Sequence, residues 1–135
     1  MIRFAFPSDG VAIKALMIES RWMSAAVADK LNWTTVDQNW LVAEVDGKLQ
    51  GAIQVYFGTP VARLESLVVD QSLDGMVKAR LVRDLGAAAI ALCKQLGAGA
   101  VRAFVPFNHA NIKKNYKKRG WQVMNQGNML LKVLE

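Results

Sequence analysis

The sequence predicts an α/β fold built on a mixed, mostly antiparallel sheet that a single parallel crossover interrupts. Three observations carry that prediction. Two β-rich runs flank Asp46-Gly47, a pair that supplies the positive φ angles of a tight hairpin. The apolar period then switches from two to about 3.6 over Gly75 to Leu96, and a further apolar run, Ala100 to Val105, follows it. A strand, a long helix and a strand in that order imply a right-handed parallel crossover. Finally, 53% of the 135 residues are apolar, enough to build a core in one domain spanning residues 1–135 and too many for a disordered linker.

The elements follow in order. Met1 to Phe6 reads as a short strand, and Pro7-Ser8-Asp9 as a helix start in which Ser8 or Asp9 accepts a bond from the first free amides. Val11, Ala12, Ala15, Leu16 and Ile18 recur at helical spacing. Ala25 to Leu31 is a short helical patch, and Asn32-Trp33-Thr34-Thr35 reads as a loop. Trp40 to Val45 and Leu49 to Phe57 form the hairpin. Val61 to Asp70 is the next strand, with Arg63, Glu65, Leu67 and Val69 on one face if the alternation is regular. Along Gly75 to Leu96 the stripe Val77, Leu81, Leu85, Ala88, Ala89, Leu92 and Leu96 faces the core. Gly97-Ala98-Gly99 stops that helix, and Ala100 to Val105 reads as a fully buried strand. Asn108 to Arg119 is a second helix with Gly120 as a left-handed terminator. Trp121 to Met124 and Asn128 to Leu134 close the chain as a β pair around Asn125-Gln126-Gly127.

Composition excludes several functions. The longest apolar stretch, Leu85 to Cys93, is far short of the ~20 residues that span a bilayer, so no membrane association is expected. The N-terminus lacks the basic, apolar and small-residue succession of a secretory signal. A single cysteine, Cys93, allows neither an internal disulfide nor a cysteine-based metal cluster, which points to a reducing, cytoplasmic setting and to no metal. The formal charge of +6 admits an anionic partner without choosing between nucleic acid, acidic protein and a phosphorylated ligand.

The element order resembles that of the GNAT superfamily of N-acetyltransferases, which use acetyl-coenzyme A (acetyl-CoA). Two segments carry the resemblance: Leu64-Glu65-Ser66-Leu67-Val68-Val69-Asp70 followed by the helix at Gly75, and Asn108-His109-Ala110-Asn111 running through Tyr116 to Gly120-Trp121. Family members commonly show Asn, a small residue or Asn, Tyr and Gly-aromatic at the second spacing. Tyr116 also shares a helix side with Ile112, four residues earlier. The resemblance implies a central sheet with helices on both faces and acetyl-CoA as co-substrate. It further implies a phosphate-binding turn made by Gly75, Met76, Val77, Lys78, Ala79 and Arg80 at a helix N-terminus, where free amides favour an anion. The chain departs from the family pattern there: Asp74 stands where a basic residue is usual and Val77 replaces a glycine. Asp74 is also a common helix cap.

Acetyl transfer to an amine needs a deprotonated amine, donors for the developing oxyanion and a proton for the departing thiolate. An amine of pKa ~10.4 is neutral in roughly one molecule in 10³ at pH 7, a handicap of about 4 kcal/mol. Glu65 is the carboxylate placed to relieve it, or it pairs with Arg63 or with a cation on a neighbouring strand. Tyr116 is the candidate proton donor to the thiolate, or a packed tyrosine. The family implies that strand amides of Leu67, Val68 and Val69 hold the pantetheine arm. Asn108 and Asn111 bond that arm or stabilise the loop, with helix capping an equal account of Asn108. His109, the only histidine, stands beside no carboxylate or cysteine cluster and reads as a surface or capping residue. Lys113, Lys114, Lys117, Lys118 and Arg119 form a solvated basic face, or a contact for a ribose phosphate or nucleic acid. Trp22, Trp33 and Trp40 pack the core or shape an acceptor pocket, and Cys93 is an inert small hydrophobe. The expected activity is transfer of an acetyl group to a primary amine of a small molecule or protein. The alternative is a non-catalytic module of the same fold that binds protein or nucleic acid through the basic helix. The terminal β segment is a candidate edge for a homodimer.

Overall fold

Asp46 and Gly47 both take positive φ, 52° and 77°, and close the hairpin between β2 (Trp40–Val45) and β3 (Lys48–Tyr56). Two consecutive left-handed residues give the turn a twist that matches its strands. β1 (Ile2–Phe4) adds antiparallel to β2, and β4 (Val61–Val69) adds antiparallel to β3. β5 (Ala100–Ala103) runs parallel to β4, so the sheet order is β1-β2-β3-β4-β5. The computed structural model describes residues 1–104, 110–124 and 130–134, with backbone alone at 110–112 and 115, and the chain divides into two compact units, Met1–Ala103 and Phe104–Glu135.

Helices cover both faces of the sheet in the first unit. α1 (Gly10–Glu19) buries Ile13, Leu16 and Met17 against Trp40, Val42, Ala52 and Val68. α3 (Gly75–Gln95) makes the crossover and lies on the opposite face, burying Leu85, Ala89 and Cys93. Gly51 permits its close approach: a β-carbon there would stand 2.8 Å from Leu85 Cδ1 and 3.3 Å from Val69 Cγ1. The apolar stripe on α3 therefore reaches the core only along its middle. Cys93 joins it, while Val77 and Leu96 at its ends are 37% and 55% exposed.

The N-terminal start differs from the sequence reading. Pro7–Asp9 is a 3₁₀ turn, and Asp9 accepts from the Phe6 amide at 2.7 Å instead of from amides within α1. The reason is Arg3, whose Nη1 donates to Asp9 Oδ2 at 2.7 Å and whose Nε donates to Glu44 Oε2 at 2.9 Å. One guanidinium thus ties β1 to the 3₁₀ turn and to β2. After the short α2 (Ala25–Ala28), Trp33–Gln38 is a 3₁₀ helix and not a loop, because Asn32 Oδ1 accepts from the Thr34 amide and hydroxyl and nucleates the turn. Trp33 Nε1 donates to the Ala28 carbonyl, which joins the two short helices.

Two strand expectations are corrected. β5 stops at Ala103 and is half-exposed, since β4 is its only partner among the described residues. Trp121 to Met124 and Leu130 to Leu134 carry no strand; Met124, Leu130 and Leu134 are more than 80% exposed, and a β pair without a third strand or a covering helix is marginal in water. The Asn125-Gln126-Gly127 turn and residues 128 and 129 lie outside the described residues. In this second unit, α4 spans Ala110–Lys118.

Arg3 holds the Asp9 carboxyl below its ordinary value, with burial opposing it and the Phe6 amide adding to it. A depressed folded pKa gives stability that is complete above about pH 4 and is lost as pH falls through the folded value. Asp9→Asn should cost about 1–3 kcal/mol at pH 7 and flatten the acid limb of the stability profile, as read by urea unfolding at pH 7 and at pH 3. Gly10→Ala should be more damaging: its β-carbon would overlap the Trp33 carbonyl, and thermal melting should show a loss of at least ~2 kcal/mol.

Candidate active site

The pairing between β4 and β5 ends early. Register runs from Val61↔Ala100 to Leu64↔Ala103, while β4 continues to Val69 with β3 on its other side. Among the described residues, nothing pairs with the outer edge of β4 from Glu65 onward. At the same place the strand is distorted. Ala52 pairs with Val68 and Gln54 with Glu65, so Ser66 and Leu67 together oppose the single residue Ile53, and Ser66 adopts φ 54°. This β-bulge kinks the strand and increases its local twist. It also breaks the regular alternation expected for Arg63, Glu65, Leu67 and Val69: Leu67, Val68 and Val69 are all buried in succession. Of the three residues whose amides were expected to hold a ligand, Val69 has its carbonyl already bonded by Gln71 Nε2 at 2.9 Å.

The bulge divides the α1 face of the sheet into rows. Val42, Ala52 and Val68 form an apolar row under α1. The next row is Trp40, Gln54 and Glu65, and the one after it is Tyr56, Arg63 and Arg102. Gln54 Nε2 donates to the Tyr56 hydroxyl at 2.7 Å. The Arg63 guanidinium lies 4.3 Å over the Tyr56 ring, and its Nε is 2.9 Å from Glu65 Oε1. That contact is an ion pair without a hydrogen bond, since Arg63 Nε is shielded from solvent and its N–H finds no acceptor. Glu65 therefore does pair with Arg63, and its side chain keeps 23% exposure.

At the end of β4, Asp70 is buried and accepts from the Ser72 amide at 2.9 Å and the Ser72 hydroxyl at 2.7 Å. Those bonds, with Lys48 at 3.6 Å, hold its carboxyl below the ordinary range and fix the turn that aims the chain into α3. Asp74 caps α3: its Oδ1 accepts from the Met76 amide at 2.7 Å, and its carbonyl accepts from the Lys78 amide. Gly75 and Val77 lie in the same first turn, where amides have no acceptor within the helix. Gly75 has open space around it, and Met76 is 76% exposed. The aspartate thus occupies one donor of the anticipated phosphate turn, and Lys78, Ala79 and Arg80 continue the helix behind it. At the other end of α3, Cys93 borders a cavity of about 230 Å³ with Phe57, Thr59 and Leu96, and burial pushes its thiol pKa up. That agrees with an inert thiol.

In the second unit, α4 ends in a Schellman motif. The Gly120 amide donates to the Lys117 carbonyl at 3.2 Å and the Trp121 amide to the Tyr116 carbonyl at 3.1 Å, with Gly120 at φ 88°. In this motif the residue after the left-handed glycine packs on the residue five before it. Accordingly, the Trp121 ring stacks on Tyr116 with centroids 4.9 Å apart and planes at 20°. The Tyr, Gly-aromatic spacing noticed in the sequence therefore has a local physical cause: the helix terminator orients the phenol. Burial raises the Tyr116 pKa, and the positive charge of Arg119 partly offsets the rise. The phenol consequently stays protonated at neutral pH. Lys114, Lys117, Lys118 and Arg119 are exposed. Asn108 and His109 lie outside the described residues, as does the side chain of Asn111.

Among the described residues no helix is long and apolar enough to cross a membrane, and no group of three His, Cys, Asp or Glu side chains converges to hold a metal ion. No family model matches the chain, and no curated protein matches it. Solved structures do. A transcriptional regulator from Bacillus halodurans C-125 superposes with a TM-score of 0.77 at 12% identity, covering 98% of this chain and 99% of its own. The aminoglycoside N-acetyltransferase AAC(6')-Iy in complex with CoA gives 0.74 at 14%, covering 98% and 93%. The PaiA N-acetyltransferase from Thermoplasma acidophilum in complex with coenzyme A gives 0.74 at 17%, covering 94% and 92%. With the five-stranded sheet, its single parallel pair and helices on both faces, this likeness establishes that the chain has the fold of the GNAT acetyltransferase superfamily.

Proposed function

We propose that the protein is an acetyl-CoA-dependent N-acetyltransferase whose acceptor is a primary amine, acting as one domain in the cytoplasm. The observation that carries this reading is the edge of β4 beyond Leu64, unpaired among the described residues, bulged at Ser66 and followed after a short turn by the N-terminus of a 21-residue helix. A strand edge offers backbone donors and acceptors to an extended amide-bearing chain, and the N-terminus of α3 offers amides to a phosphate. Those two features suit the pantetheine and pyrophosphate of CoA respectively, and two neighbours of the same fold contain CoA.

The co-substrate supplies the acetyl group as a thioester. Everything else falls to the chain. Glu65, half-shielded beside Arg63, takes up, directly or through water, the proton that the amine nitrogen loses as its bond to the acetyl carbon forms and the carbon–sulfur bond breaks. An amide on the exposed edge near the bulge donates to the carbonyl oxygen as charge develops there. Tyr116, kept protonated by burial and held by the Trp121 ring, returns a proton to the thiolate. Asn111, with Asn108, bonds the pantetheine arm.

One observation favours a second reading, a non-catalytic module of this fold that binds protein or nucleic acid through the basic α4. Asp74 spends the Met76 amide on a capping bond and brings a negative charge to the phosphate turn. Calorimetry with acetyl-CoA separates the two. The enzyme should bind it, and Tyr116→Phe should then lower kcat by roughly 10²-fold or more with little change in CoA affinity. No binding at millimolar ligand favours the module, and an unchanged kcat removes Tyr116 from the mechanism. Asp74→Asn retains a capping side chain and removes the charge. It should leave stability within a few tenths of a kcal/mol and tighten CoA about fivefold, the equivalent of ~1 kcal/mol of relieved repulsion, measured by the same titration.

A further inference from the structure

We propose that the α1 face of the sheet holds a two-arginine subsite for a carboxylate, so that the acceptor is an amino acid or a related amino-carboxylate and not a polyamine. This rests on the transfer reading above and specifies its substrate class. Arg63 and Arg102 are register partners on the parallel strands β4 and β5, so their side chains leave the same face of the sheet. Like charges opposite one another on neighbouring strands are unfavourable, and among the described residues Glu65 is the one carboxylate paired with them. These three side chains together leave an excess of positive charge.

The hydrogen-bonding capacity of both arginines is also unspent. Arg63 stacks on Tyr56 and touches Glu65, and its Nε–H finds no hydrogen-bond acceptor among the described residues. Its side chain is 41% exposed, and Arg102 is exposed with no ion pair among the described residues. A guanidinium presents a planar fork that matches a carboxylate in two-point fashion, and stacking on Tyr56 holds that of Arg63 in one orientation. Gln54 bonds to the Tyr56 oxygen as a donor, which leaves the Tyr56 hydroxyl proton free to point outward as a further donor to an oxyanion.

Spacing supplies the last element. Residues two apart on a strand point to the same face, and Glu65 Oε1 lies 2.9 Å from Arg63 Nε. An amine held at Glu65 and a carboxylate held by the arginines are therefore neighbours, as the two ends of a short amino-carboxylate are. A ligand with several positive charges would meet Arg63 and Arg102 with repulsion, on a protein whose overall charge is already +6.

The test is a titration of the full-length, ¹⁵N-labelled protein, without acetyl-CoA, using 4-aminobutyrate and its neutral counterpart 4-aminobutyramide while the arginine Nε–H signals are followed. 4-Aminobutyrate should shift the Arg63 and Arg102 signals with an affinity at least tenfold above that of the amide. Arg102→Gln, a change on an exposed side chain, should bring that ratio close to one, and Arg63→Lys, which keeps the charge and loses the fork, should reduce it severalfold. Equal responses to the two probes, or no response to 4-aminobutyrate, overturn the proposal. Because this titration needs no co-substrate, its failure is distinguishable from failure to bind acetyl-CoA, which tests the transfer reading alone.

Discussion

The site depends on a shortage of hydrogen bonds. β4 is nine residues long and β5 four, so their ladder closes at Leu64 and Ala103 and, among the described residues, half of β4 has one neighbour. Backbone donors and acceptors removed from water need partners, and a half-strand of free groups beside a packed core is an arrangement that a ligand with its own amides can complete. The bulge at Ser66 lies in this half. It forces a left-handed conformation on a residue with a β-carbon, and such conformations persist where the surroundings over-determine them. Here Ile53, fully buried, fixes the spacing from the facing strand.

α3 shows how one backbone feature serves two competing needs. Helix N-termini carry unsatisfied amides and a partial positive charge. An aspartate that caps the helix satisfies an amide and neutralises part of that charge, and the same aspartate reduces what an external anion gains there. In this chain the capping bond is formed and the next residue is a glycine with open surroundings. Stability of α3 and attraction for a phosphate are thus set against each other at a single side chain. Asp70 and Ser72 stay outside that conflict by fixing the preceding turn from within.

Much of this was legible in the sequence because it is written in local chemistry. Asp46-Gly47 announces its own turn, the period of α3 announces its buried side, and Gly120-Trp121 announces both a helix end and the residue that will rest on Tyr116. The bulge was not legible. Ser66 is neither glycine nor asparagine, and an uninterrupted run of β-forming residues reads as regular alternation. Arg63 and Glu65 were correctly set on one face only because they precede the bulge. The role of Asp9 was hidden for a different reason: its partner Arg3 belongs to another element, and a capping residue engaged by a guanidinium no longer follows the local rule. The 3₁₀ helix after Asn32 was missed because threonines and tryptophan carry no helical period over so short a span. The terminal β pair is read from two short runs around Asn125-Gln126-Gly127, and a turn signal alone does not make its flanks pair.

The rows across the α1 face separate two kinds of requirement. Val42, Ala52 and Val68 are buried beneath a helix, and changing them disturbs the whole unit. Tyr56, Arg63 and Arg102 stand beyond the reach of that core, on strands whose geometry their backbones already specify. The outer row can therefore be exchanged without disturbing the apolar row beneath α1. Change in side chains with retention of architecture is what such a division permits, and neighbours of this fold superpose over almost their entire length while fewer than one residue in five is identical.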